Sequence, residues 1–402
     1  MKIIITGAGV SGLAAAADLV ARGHEVEVYE RAPELRAGGN GVLIWHNATG
    51  ILRDLGLPLE RLGRRMDTAD VWSSRGEPLM RTDLTRIAAV LGTPCIAAMR
   101  GDVLRLLADA VPEGVIRLGK ECAEIVERPG GVTVRFTDGT TADGDVLIGA
   151  DGYRSAVRTH LFGADDARYT GLASWHGTTT EPLDLGGDHC VPTFYGRQGL
   201  CTLHPVGDGR IHWSFEVPFD NGRRRVPPPG TALSEASRSE GRRLASSREW
   251  FGGWAPPVSD LLDVLKEEDI AEAPHTLHDV RKWWGRGPIT LVGDAAHAIP
   301  PRAGWGVNQA LEDSWVLGHA LDGPGSPADR LRAYEQARRG RARTVRGRAK
   351  MLRHSNRLLL ALRLTRDGLQ STKMLQANIQ SSSSYLNRDL PPGTARPAAE
   401  AV

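Results

Sequence analysis

Three stretches of this chain set glycines and a carboxylate at the ends of short apolar runs, where backbone amides and acids can meet a ligand. In the first, Ile3-Ile4-Ile5 runs into Gly7-Ala8-Gly9-Val10-Ser11-Gly12 and then an alanine-rich helical pattern to Ala21. Gly7 permits a tight turn, Gly9 lets backbone approach a pyrophosphate, and Gly12 lets helix and strand pack closely. The next run, Glu25 to Glu30, ends in an acid that can accept from both hydroxyls of a ribose. Strand, glycine loop, helix and acid in this order predict a dinucleotide site with phosphates at the helix N-terminus. The second stretch, Asp145 to Gly152, is a buried strand ending in Asp151-Gly152, with Arg154, Ser155 and Arg158 at a following helix start. The third, Ile289 to Asn308, is a strand, Gly293-Asp294, a loop stiffened by Pro300 and Pro301 and bared by Gly304 and Gly306, then a helix from Val307. It suits a polar or anionic ligand.

Other residues able to do chemistry lie between these stretches. Residues 170–217 alternate aromatic and polar side chains, the pattern of an antiparallel sheet. There Trp213 and Phe215 share one face and His212 and Ser214 the other. His189-Cys190 with Cys201-x-x-His204 matches no common zinc spacing, so no metal site is expected. Glycines at 38, 39 and 41 suggest backbone passing close to a ligand, and Arg100 stands just outside a helix start.

The elements that must position these residues fit an ordinary globular chain. At 402 residues it can bury a large core and hold two domains. A net charge of +2 points to neither nucleic acid nor membrane, and no apolar run reaches membrane-spanning length. The chain opens on a strand without a basic-then-apolar leader, and its four cysteines form no CxxC pair, so a cytoplasmic protein with reduced thiols is expected. Residues 69–84 read as a hairpin broken at Arg75-Gly76 and 47–57 as a helix. Residues 221–245 read as a loop and an exposed helix. Residues 328–378 read as basic helices with a solvated face, and 381–402 as a loose, serine- and proline-bearing tail.

Taken together, the three motifs resemble the single-chain FAD-dependent aromatic hydroxylases, the family of p-hydroxybenzoate and salicylate hydroxylase, over roughly residues 1–345. Gly7-x-Gly9-x-x-Gly12 with Glu30-Arg31 is similar to the family's ADP-binding fold, Gly149 to Arg158 to its Asp-Gly motif, and Gly293-Asp294 to Asn308 to its Gly-Asp motif. Gly39 to Asn47 and Arg100 also match positions near the flavin. The resemblance implies an α/β fold: a Rossmann-like FAD-binding domain with a mostly antiparallel β-sheet substrate domain and C-terminal helices. It divides the chain into an FAD-binding domain (1–70, 98–165, 270–325), a substrate domain (71–97, 166–269), helices (326–380) and the tail.

By the same resemblance Gly7, Gly9, Val10, Ser11, Gly12, Glu30 and Arg31 would bind the ADP half of FAD. Gly41, Arg100, Asp151, Asp294, Gly304, Gly306, Val307 and Asn308 would surround the rest, and His297 would be structural. The implied activity is NAD(P)H- and O2-dependent hydroxylation of an aromatic or polycyclic small molecule through a flavin C4a-hydroperoxide. NADH or NADPH would dock transiently, since no nicotinamide-binding domain is evident. Epoxidation of an alkene is the alternative; a redox-silent FAD-binding scaffold is a more distant one. Trp175, Phe194, Tyr195, Trp213, Pro301 and Trp305 are the expected substrate pocket. His176, His204 and His212 are the candidate bases for a phenol, since an imidazole ordinarily titrates near working pH. Trp305, His46 and His176 depart from the family's usual small or polar residue, proline and arginine, which bears on the substrate and on the approach of NAD(P)H.

Overall fold

The computed structural model describes residues 1–35, 39–165, 167–218, 243–351 and 368–391. Its central layer is a five-stranded parallel sheet in the order Ile289–Leu291, Val146–Gly149, Lys2–Thr6, Glu25–Tyr29, Ile116–Arg117. Ile3, Ile4, Ile5, Val146, Leu147 and Ile148 are fully buried, as strands covered on both faces must be. From Lys2–Thr6 the chain adds its next strand on one side and later strands on the other. The carboxyl end of that first strand is therefore a topological switch point, where ligands of open α/β sheets bind. Helix Val10–Ala21 leaves this end and packs against helix Gly306–Leu321.

A second, seven-stranded sheet runs in the order Ala271–Leu277, Arg168–Thr179, Arg210–Pro218, Leu200–Gly207, Cys190–Tyr195, Thr68–Ser73, Pro78–Asp83. Every pairing is antiparallel except that of Cys190–Tyr195 with Thr68–Ser73. Trp213, Phe215, Phe194 and Cys201 pack from one face against Phe251, Trp254 and Leu261 of the segment carrying helices Arg243–Phe251 and Val258–Val264. A small antiparallel sheet, Gly41–Ile44, Cys95–Met99 and Arg64–Met66, touches strand Leu200–Gly207 and bridges the two layers. The hairpin and the helix His46–Asp54 form as the sequence predicts. The expected boundaries at 70/71 and 97/98 fall inside strands, because pairing crosses them.

The expected loose tail is corrected over its first half. Ser381 and Ser382 end helix Gly368–Ser382, and Ser384–Asn387 is a further turn with Ser383, Ser384 and Tyr385 buried. These polar residues are buried because Glu312 accepts from Ser384 N at 2.8 Å, Tyr385 N at 3.1 Å and the Ser383 hydroxyl. The basic helix Pro327–Met351 keeps a solvated face with Arg343 and Lys350 exposed, but Arg338 is fully buried, Arg341 pairs with Asp389 and Arg346 with Asp279. The apolar run 358–362, loop residues 221–242, Gly38 and residues 392–402 lie outside the described residues.

Arg338 donates to Asp313 at 2.7 Å and lies 3.8 Å from Glu312, all three buried. Arg338→Met leaves two buried carboxylates short of their cation, and a loss of roughly 3–5 kcal/mol is expected in denaturant titrations. A neutral result would show that the pair is not needed. Acid should also unfold the chain early. Burial pushes His46 and His278 down to about 4 and His275 to about 3. The unfolded chain therefore binds more protons, and stability is complete above the ordinary imidazole range and lost as pH falls toward 4. The slope is about 1.4 kcal/mol per pH unit for each such histidine. His278→Gln should flatten the pH profile of the melting temperature; an unchanged slope would reject this account.

Candidate functional site

The three motifs lock into one another through glycines. Gly7 has φ +100° and a Cβ there would lie 2.4 Å from the Ala150 carbonyl, so the first motif rests on the second. A Cβ on Gly12 would lie 1.9 Å from the Gly7 carbonyl. Gly293, at φ +58°, is pressed against Ser11, and Arg158 donates to the Ala295 and Ala296 carbonyls at 2.8 and 3.0 Å. Gly9 is different: a Cβ there would meet nothing within 4 Å. The helix after it has no side-chain cap and no acid in its first turn, so its first amides face open space. Glu30 lies beside this space and accepts from Ala8 N at 2.8 Å and Ala32 N at 3.0 Å. An open glycine, uncapped amides and a carboxylate make a cradle for a dinucleotide's pyrophosphate and ribose.

Further along the same crevice, Asp151 accepts from Ala156 N at 2.7 Å and Val157 N at 3.3 Å with one carboxylate oxygen, while the other has no partner among the described residues. Burial raises its carboxyl. Asp294 is solvent-reachable, yet desolvation by the surrounding protein raises it against the pull of His297 and Arg100, the signature of an acid at the bottom of a cleft. Asn308 accepts from Trp45 N at 2.7 Å and donates to the carbonyls of Leu43 and Gly304 at 3.0 Å each. Trp45 in turn donates to Gly304 O at 2.9 Å and lies 6.2 Å from Trp305. Gly306 opens a second helix with no side-chain cap and no acid in its first turn, again facing open space.

The large sheet turns its other face to this crevice. His212 packs on Gly41 so closely that a Cβ on the glycine would lie 2.5 Å from the ring. His204 and Thr178 are its cross-strand partners, and His176 stands opposite Ser214. The rings of His204 and His176 lie 5.7 and 5.9 Å from that of His212. Burial lowers His176 and His204 to about 4 and His212 well below its ordinary value, the other two adding to that shift, so all three are neutral near pH 7. Thr193, Thr202, His204 and Ser214 keep accessible surface although their strands are interior to the sheet, whereas Phe194, Leu203 and Trp213 on the opposite face have none to speak of. A cavity therefore lies over the histidine face. At its other end Arg302, from the motif loop, reaches Glu216 at 2.7 Å and also donates to Tyr195. Burial raises Glu216, and Arg302 opposes that shift. Behind them Ser174 and His275 bond at 2.8 Å.

Residues 1–240 and 262–349 match the family described as "FAD binding domain". The chain belongs to the FAD-dependent aromatic hydroxylases. The hydroxylase is 34% identical over 366 residues to 3-amino-4-hydroxybenzoate 2-monooxygenase of Streptomyces platensis, covering 88% of each chain. It is 32% identical over 353 residues to the FAD-dependent urate hydroxylase of Klebsiella pneumoniae, covering 86% of this chain and 88% of that one. The structure of Klebsiella pneumoniae HpxO complexed with FAD and uric acid superposes with a TM-score of 0.85 at 29% identity, covering 95% of this chain and 97% of that one. FAD is the cofactor of the hydroxylase, and the fold class is the α/β FAD-binding fold with added sheets and helices.

Most of the residues singled out in the sequence surround one crevice of the hydroxylase; three do not. Trp175, Phe194 and Trp213 point to the back of the sheet, Trp175 stacking on Trp250 with ring centroids 5.4 Å apart. Alternation placed Trp213 and Phe215 together correctly, but their face is the one that buries against helices. Tyr195 and Trp305 stay on the crevice side, Val307 follows Gly306 at the helix start, and Pro301 and Arg31 are exposed. The histidines are on the crevice face, but burial removes the near-neutral titration expected of them. Glu216, Arg302, Trp45 and His275 were not singled out. Glu216 carried a signal, since it continues the period of His212 and Ser214, and Arg302 lies inside the motif loop itself.

Gly9→Ala should leave the melting temperature of the FAD-free protein unchanged, because the new methyl meets no protein atom. It should weaken FAD at least about tenfold, or ~1.4 kcal/mol. Gly12→Ala should instead destabilise both forms. Equal FAD affinity in Gly9→Ala, by fluorescence titration, would reject the cradle.

Proposed function

We propose that this hydroxylase uses NADH or NADPH and O2 to add one oxygen atom to an aromatic small molecule, with Glu30 and the Gly7–Gly12 loop holding the ADP half of FAD. Asp151, Asp294 and Arg100 would hold its ribityl and phosphate region, and Gly41, Gly304 and Gly306–Asn308 would flank the flavin ring. The observation that carries this reading is the cavity between the histidine face of the sheet and the Gly41 and Gly304–Asn308 backbone. Bound FAD supplies the redox chemistry, taking two electrons from the nicotinamide and activating O2.

The chain's own residues do the rest. Trp45, Trp305 and the buried sheet keep water from the reacting centre. The neutral imidazoles of His176, His204 and His212 accept or donate hydrogen bonds without charge. With histidine pKa values near 4, the polarity of the site is constant across neutral pH. A phenol is made electron-rich by a hydrogen bond to an imidazole rather than by a base that titrates at working pH. Relatives named for hydroxylating 3-amino-4-hydroxybenzoate and urate support an aromatic substrate. Four free cysteines, three of them buried, support a reducing compartment such as the cytoplasm. No described helix is long and apolar enough to cross a membrane.

Rapid-scan absorbance of the FAD-loaded protein tests the reading. Anaerobic NADH or NADPH should bleach the flavin, faster with one member of a panel of phenols and heteroaromatics, and in air that compound should gain one atom from isotopically labelled O2. No bleaching with either nicotinamide and any panel member would sink it.

A further inference from the structure

Among the described residues, the cations at the two ends of the crevice face, Arg302 and Arg210, already have carboxylate partners. Arg302 holds Glu216 at 2.7 Å, its side chain 8% and that of Glu216 5% exposed. At the far end of strand Arg210–Pro218, Arg210 pairs with Asp102 at 3.0 Å and with Asp208 at 3.2 Å. Between them the face is built from hydroxyls and imidazoles: by cross-strand register Thr193, Thr202, Ser214 and His176 form one row and His204 with His212 the next. None of the positions between the two pairs is a lysine or arginine. Both ring nitrogens of His212, which is 2% exposed, and Nδ1 of His204 have no hydrogen-bond partner among the described residues. These nitrogens are closed off within the wall, and the accessible polar surface of the face is that of Thr193, Thr202, Ser214 and His204.

We propose that the cavity selects an uncharged aromatic substrate bearing hydroxyl or amide hydrogen-bonding groups and no carboxylate, with Glu216 occupying the arginine that a substrate carboxylate would need. This rests on the monooxygenase reading above and names its substrate class. A carboxylated arene brought to Arg302 either displaces Glu216 or sets its anion beside that of Glu216 in a desolvated space, and each leaves two anions sharing one cation. Placed over the imidazole row instead, its carboxylate would meet neutral rings and no cation. An uncharged phenol meets neither penalty, and its hydroxyl can bond the accessible hydroxyl row of Thr193, Thr202 and Ser214 or the accessible part of His204. Glu216 is thus a specificity-determining residue: it touches the arginine and decides what else the arginine can bind.

The test is equilibrium binding to the oxidised, FAD-loaded protein without nicotinamide, read by perturbation of the flavin absorbance. Two matched pairs serve as probes: 2-aminophenol with 3-amino-4-hydroxybenzoate, and 2-naphthol with 3-hydroxy-2-naphthoate. In each pair the uncharged member should bind at least about tenfold more tightly, a difference of ~1.4 kcal/mol. Glu216→Gln keeps the shape and frees Arg302; it should tighten the carboxylated members about tenfold or more and leave the uncharged ones within about threefold. A carboxylated member binding the wild-type protein as tightly as its partner would overturn the proposal without any variant. So would a Glu216→Gln protein that loads FAD normally yet leaves the ratio unchanged. Because no turnover is involved, the ratio stands apart from the monooxygenase reading, which fails only if no nicotinamide-driven oxygenation is found.

Discussion

The carboxylate of Asp313 is the fixed point of the molecule. It is fully buried and accepts three hydrogen bonds of 2.7 Å, from Gly293 N, from His297 Nε2 and from Arg338 Nε. Burial alone would raise its carboxyl, but His297 and Arg338 hold it down to about 2. A buried anion needs this much compensation. In obtaining it, Asp313 joins the strand end that carries Asp294, the helix that starts at Gly306 and the basic helix of Arg338. Gly293 in turn presses on Ser11 of the first glycine loop. One ionic contact therefore sets the distance between the two halves of the crevice. The histidine of the Gly-Asp-Ala-Ala-His stretch is consumed by this duty and faces no ligand.

Glu312, one residue earlier on the same helix, extends the arrangement to the C-terminal segment. It accepts from Asn47 at 2.8 Å as well as from residues 383–385. Adjacent residues of a helix point about 100° apart, so Asp313 and Glu312 serve different neighbours while Arg338 lies near both. Serines that compose a loose tail by composition are drawn into the core because a buried carboxylate needs donors and they supply them. Composition carries no record of a partner some seventy residues away, which is why that segment was misread.

The glycine motifs were legible for the opposite reason. Gly7 and Gly12 answer to local constraints, a positive φ and a backbone contact across one turn, which any chain making this turn must meet. The alternation of the sheet was equally plain, but a period of two names two faces without saying which is inside. Tryptophans and phenylalanines invite the role of pocket wall for a flat substrate. Here they are spent on packing the sheet against helices, and the pocket falls to the polar side. The histidines were found, while their pKa values were not, because desolvation depends on what the fold piles around a ring rather than on the ring's neighbours in sequence.

The polar wall raises the question of how a cavity with so many ionisable groups avoids holding charge. It does so by pairing. Glu216 and Arg302 cancel each other, and the three histidines stay neutral because burial disfavours their protonated forms, with the other two adding to the effect at His212. Such a wall would offer directed hydrogen bonds at little electrostatic cost to an uncharged ring, and among the described residues it carries no lysine or arginine between its two ion pairs. With the flavin ring placed as proposed, a field favouring negative charge on it would come from the opposite side, from the amides of the uncapped helix that begins at Gly306. The site is polarised across its width: backbone donors on the cofactor side and neutral acceptors on the substrate side. Asn308 fixes the gap between them by tying the helix start to Trp45 and Leu43. A reaction that moves oxygen from cofactor to substrate across that gap uses the two sides differently, and the sequence devotes glycines to one and small hydroxyls with imidazoles to the other.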